Sequence, residues 1–101
     1  MTVAEKTAVQ SALMLHPDDN VAVALEALKA GTRPAPGFPA VISDIPRGHK
    51  FSLLSVPAGA PVIKYGAPIG VARSRIQPGE HVHSHNLASA LSGEVEYAVD
   101  L

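Results

Sequence analysis

The sequence predicts a small, mainly β domain with one helix near its start. Short apolar runs are separated by turns rich in proline and glycine, the texture of many short strands. Eight of the nine prolines lie beyond Gly31, where they interrupt any helical period. Only residues 19–30 carry a helical stripe, with Val21, Ala24, Leu25 and Leu28 spaced to fall on one face.

Taken in order, residues 1–11 are small and polar and read as a flexible leader, with 12–101 as one domain. Ala12 to Leu15 is a first strand. His16-Pro17-Asp18-Asp19-Asn20 supplies turn and cap chemistry, and Asp18 or Asp19 can accept from the first free N–H groups of the helix. Gly31 is placed to cap its C-terminus. Thr32 to Pro39 is a loop. Strands are expected at Ala40–Ser43, Phe51–Val56, Val62–Tyr65 and Ile69–Ile76, and then in the segment that follows Gly79. The phrases Pro46-Arg47-Gly48, Pro57-Ala58-Gly59 and Gln77-Pro78-Gly79 each precede a strand and read as similar turns. Their unequal intervals do not make a sequence repeat. Residues 87–101 mix apolar and acidic positions and add a helical turn or an edge strand.

Composition narrows the function. At 101 residues the chain is one small domain. A net charge of −1 gives no reason to expect nucleic acid or a membrane surface as partner. The absence of cysteine excludes disulfides and thiolate metal sites and suits a cytoplasmic protein. No apolar run approaches the roughly 20 residues of a membrane span, and the N-terminus lacks the apolar core of a signal peptide. Apolar residues make up 47% of the chain but aromatics only 4%, so Val, Ile, Leu and Ala must fill the core. A chain this short leaves much of its surface exposed. It is expected to carry a shallow site completed by a partner or by self-association into a homo-oligomer.

The chemistry concentrates in Gly79-Glu80-His81-Val82-His83-Ser84-His85-Asn86, which holds three of the five histidines at alternate positions. In an extended strand alternate side chains share one face, and imidazole both binds transition metals and moves protons near neutral pH. Residues two apart in a strand are separated by roughly 7 Å and residues four apart by roughly 13 Å. A straight strand therefore brings His81 with His83, or His83 with His85, to one ion, and draws further ligands from elsewhere, His49 and Glu80 being the local candidates. Imidazole donors favour zinc, iron, nickel or copper. The competing reading is an edge strand of solvated histidines. Asn86 either orients a ligand carboxylate or caps the next segment. Two further clusters, His49-Lys50 and Lys64-Tyr65, offer cations and a phenol to an anionic substrate. Arg73 and Arg75 read as a solvated strand face. The His-x-His also looks like the first metal motif of cupins, but the positions where that family carries its glutamate hold Ser89 and Ala90 here, and no histidine follows His85.

Five blocks taken together carry a stronger likeness: His16-Pro17-x-Asp19-Asn20 through Leu25, Ala30-Gly31-Thr32, Ile45-Pro46-x-Gly48-His49-Lys50-Phe51, Val62-Ile63-Lys64-Tyr65-Gly66-x-Pro68-Ile69-Gly70, and Gly79 to Asn86. In this order they resemble the N-terminal SAF domain of the altronate/galactarate dehydratase family, from about Leu13 to Leu87. Ser84 replaces a valine common in the family's histidine run. The resemblance implies a β-clip (SAF-like) architecture and hydro-lyase chemistry on a sugar acid, supported by a divalent metal such as iron. It also implies a large dehydratase subunit as partner, as for the stand-alone small subunit of sulfolactate sulfo-lyase. The expected roles are acid–base work by His83 and His85, metal ligation by His81, His83 and His85, and substrate binding by His49, Lys50, Lys64, Tyr65 and Asn86. The alternatives are a non-catalytic sugar-acid-binding or regulatory module, and the small subunit of a sulfo-lyase.

Overall fold

Antiparallel pairing organises the chain into two sheets. A computed structural model describes residues 10–89; residues 1–9 of the expected leader and 90–101 of the C-terminal segment lie outside the described residues. The strands are β1 (Ala12–Leu13), β2 (Val21–Ala24), β3 (Lys50–Ser52), β4 (Pro61–Lys64), β5 (Ala67–Ala72), β6 (His81–Val82) and β7 (Leu87–Ser89). A four-stranded sheet has the order β1-β2-β3-β6, and a three-stranded sheet the order β4-β5-β7.

The expected helix over residues 19–30 is not formed, and no helix occurs among the described residues. Val21-Ala22-Val23-Ala24 is instead the central strand β2, paired with β1 on one side and β3 on the other. Apolar groups cover both of its faces, so the strand reads as a continuous apolar run and its alternation is hidden. Asp19 caps no helix: its Oδ1 accepts the Gly66 N–H at 2.8 Å. The neighbouring Asn20 exchanges hydrogen bonds with Ile63 through its backbone N–H (3.2 Å) and its side-chain oxygen (2.7 Å). The segment read as turn and cap chemistry therefore braces the β4–β5 hairpin. That hairpin turns through Tyr65 (φ 59°) and Gly66 (φ 76°), a two-residue loop of the primed type that suits strand twist. The expected strand Ala40–Ser43 forms no ladder; Val41 pairs only with the turn at Gly31 and Thr32 (2.7 and 2.8 Å).

The remaining order comes from four matched turns. Leu28 bridges Ile45, and Val56 bridges Ile76. Each of these four residues leads into a turn closed by one backbone bond of 3.0 Å: Thr32 to Lys29, His49 to Pro46, Ala60 to Pro57, and Glu80 to Gln77. The third turn residue is a glycine at positive φ in every case, the type II pattern. Each glycine N–H then reaches across to the partner arm. Gly31 bonds Val41 and Gly48 bonds Ala24, while Gly59 bonds Ala72 and Gly79 bonds Ser52. The phrases recognised as similar turns are thus two reciprocal pairs, with Lys29-Ala30-Gly31 as the unrecognised fourth member. This clipped arrangement is consistent with the SAF architecture.

The four-stranded sheet separates two small cores. Ala22, Ala24 and Phe51 point to one, which Leu28, Val41 and Ile45 close from the first pair of turns. Val21 and Val82 point to the other, against Val62, Ile76 and Leu87. Phe51 is the largest fully buried side chain, its ring tilted 59° to that of Phe38 at 6.4 Å. Phe51→Ala should cost about 3–5 kcal/mol, read as a lower urea midpoint at unchanged slope.

Candidate metal and anion site

The register of β3 against β6 builds the site. Lys50 pairs with Val82 and Phe51 with His81. One further step in the same register sets His49 opposite His83. Because side chains alternate, His49, His81 and His83 emerge on the face that buries Phe51, at its open rim. The rings of His49 and His83 stack at 4.7 Å and 21°, and those of His81 and His83 lie 5.6 Å apart and nearly parallel. His49 Nδ1 and His81 Nε2 are 2.9 Å apart, a hydrogen bond in which one ring nitrogen must carry the proton. Donor atoms of all three imidazoles lie within 4.8 Å of one another.

The straight histidine strand expected over residues 81–86 is only two residues long. At His83 the chain turns: its carbonyl accepts from the N–H groups of Asn86 (3.0 Å) and Leu87 (2.9 Å). The turn brings His85 back to 5.6 Å from His81, ring centre to ring centre, but His85 is not part of the converging donor set. His49 takes the place expected of His85. No local pattern marks this, because the pairing depends on how strands distant in sequence align. Glu80, weighed as a ligand, is occupied: one carboxylate oxygen accepts the Gln77 N–H (2.8 Å), the other an Asn86 amide proton (3.2 Å). Asn86 is buried, at 2% exposure, so its side chain is withheld from any substrate. Arg73 is more than a solvated strand residue; its Nε donates to the Ser84 carbonyl at 3.1 Å and steadies the loop. His16 is remote in role and packs against Gly66.

Lys50 lies in line with Val23 and Val82, so it leaves β3 on the opposite face from His49. Lys64 is near enough for its charge to act on Lys50, and its Nζ lies 5.3 Å from the Tyr65 ring centre. Neither lysine forms an ion pair among the described residues. Loss of water, and then the Lys64 charge, holds Lys50 below the usual lysine range. His81 is also held below its ordinary value, first by burial and then by His49, His85, His83 and Lys50. For His83 the order is loss of water, His49, Lys50 and His85. Both shifts favour the neutral imidazole, the form that ligates metals.

The residues fit a divalent metal. Three imidazoles with converging nitrogens form a donor set suited to zinc, iron, nickel or copper. Three protein ligands leave a coordination position open. The family profile of the altronate/galactarate dehydratase SAF domain matches residues 10–90. The chain belongs to this family. Over 87 residues this SAF domain is 46% identical to altronate dehydratase of Escherichia coli (strain K12), covering 84% of this chain and 18% of that protein. It is 38% identical over 82 residues to galactarate dehydratase (L-threo-forming) of the same organism, covering 79% of this chain and 16% of that one. A shorter match, 48% over 44 residues, joins it to (2R)-sulfolactate sulfo-lyase subunit alpha of Paracoccus pantotrophus, covering 44% of this chain and 66% of the subunit. The chain thus spans less than a fifth of the length of the two dehydratases. Among the described residues, no helix is long and apolar enough to cross a membrane.

Proposed function

We propose that this SAF domain is the small component of a lyase that removes water from a sugar acid such as altronate or galactarate. A large dehydratase component, as a separate subunit, would complete the site. The convergence of His49, His81 and His83 carries this reading, with Lys50 on the other face of the sheet and Lys64 near it, neither forming an ion pair among the described residues. Eliminating water from a hydroxy acid needs a base at the carbon next to the carboxylate, an acid at the departing hydroxyl, and cations for the carboxylate. His49, His81 and His83 would hold a divalent ion, which when bound supplies Lewis acidity. Iron is the metal the family likeness favours. His85 stands beside the triad and outside it, free to move a proton. Lys50, with Lys64 near it, would add positive field from the other face of the sheet, and the exposed Tyr65 hydroxyl is open to an anionic group.

Mixing the chain with a large dehydratase subunit and assaying altronate and galactarate tests the proposal. Turnover is expected only with both components, and a large subunit equally active alone would refute it. The likeness to a sulfo-lyase alpha subunit favours a second reading, with the sulfonate group leaving as sulfite in place of water. Sulfolactate as a parallel substrate separates the two.

A further inference from the structure

We propose that Asn86, held by Glu80, is a positioning residue that keeps His81 and His83 on one face by standing in for a missing strand. β6 is the outermost strand of its sheet. Its inner side is engaged by β3, as in the 2.9 Å bond from the Ser52 N–H to the Glu80 carbonyl. Alternation turns the His81 carbonyl and the His83 N–H outward, to an edge where no strand follows among the described residues. Asn86 meets both groups: its Oδ1 accepts the His83 N–H at 2.9 Å, and its Nδ2 donates to the His81 carbonyl at 2.9 Å. A carboxamide carries the same donor and acceptor as a peptide, so it satisfies the two edge groups that a neighbouring strand would otherwise bond.

Glu80 fixes which way this amide points. Its Oε2 takes the second Nδ2 proton at 3.2 Å, while its Oε1 is anchored by the Gln77 N–H at 2.8 Å. The clamp is thereby tied to the type II turn that launches β6. The chain turns at His83, whose carbonyl is held by the Asn86 and Leu87 N–H groups, so the clamp is what ties its N–H to the edge of β6. Without the clamp, the His83 ring would swing out of the stack with His49. Asn86 acts through the histidines, since burial keeps it from any ligand.

The inference rests on the histidine face being the working face, but its test does not require metal. The whole chain, isotope-labelled and kept in a chelator, is compared as wild type, Asn86→Asp and Glu80→Gln. Stacking shifts the imidazole protons of His49 and His83 away from free-imidazole positions by ring current. Asn86→Asp is isosteric but turns a carboxylate oxygen toward the His81 carbonyl and Glu80. It should collapse those shifts and speed exchange of the His83 N–H at least about tenfold, while the Phe51 amide stays protected. Wild-type ring shifts and exchange in Asn86→Asp would overturn the proposal. If that variant loses the Phe51 amide as well, Glu80→Gln decides: a smaller change in the same direction supports the clamp, and unchanged imidazole signals refute it. In a second arm, zinc affinity should fall about 10- to 100-fold in the clamp variants. A wild-type chain that binds no zinc counts against the metal site and leaves the ring-current comparison intact.

Discussion

Alanine at His81 is expected to abolish measurable binding of a divalent metal, whereas alanine at His85 leaves it nearly unchanged. His81 is central to the donor set: it hydrogen-bonds His49 across the strands and lies parallel to His83. Its loss takes away one of three ligands, and affinity should fall by more than the roughly 100-fold that loss of a supporting contact costs. Two imidazoles left on a solvated edge would not retain the ion. His85 is near in space but its nitrogens do not converge with the others. Calorimetric titration with zinc, or cobalt absorbance, in wild type and both variants checks this. Equal losses from His81→Ala and His85→Ala would return His85 to the ligand set and remove His49 from its special position.

Gly79→Ala should destabilise the fold by about 2–5 kcal/mol, clearly more than the same change at Gly48. Both glycines sit at φ 83° in equivalent turns, where any L-residue meets a penalty of about 1–2 kcal/mol. At Gly48 a Cβ would meet nothing within 4 Å, and that penalty is the whole cost. At Gly79 a Cβ would run into the Ala40 carbonyl oxygen. The backbone there has no room to yield, because its N–H is bound to Ser52 and its carbonyl to the Ile42 N–H. Crowding of this kind adds about 1–3 kcal/mol. Urea denaturation of the two variants measures the difference, and equal losses would show that the contact relaxes freely. The site should suffer with the fold, since Gly79 launches Glu80 and His81.

How far each element was legible depended on whether its signal was local. The turns at Gly48, Gly59 and Gly79 were readable because positive φ beside a proline or a small residue leaves a mark in the sequence. The hairpin strands β4 and β5 were readable as strands broken at Gly66, but Tyr65, expected as the last residue of the first strand, is in the turn at φ 59°. The helix over 19–30 was misread because β2 is covered on both faces, and its apolar spacing then fits either period. Strand lengths were overestimated wherever an apolar residue serves a single bridge, as Val56 and Ile76 do.

The sequence by itself determined the chemistry available: imidazoles at alternate positions, lysines beside two of the turns, no thiols, and a family likeness spread over five blocks. It could not say which imidazoles meet. That was decided by the alignment of β3 with β6, which pairs His49 with His83, and by a turn at residue 83 that ends the histidine strand early. It also could not divide the cations. A single step along β3 sends His49 to one face of the sheet and Lys50 to the other, because side chains in a strand alternate while the face each one meets depends on what packs there.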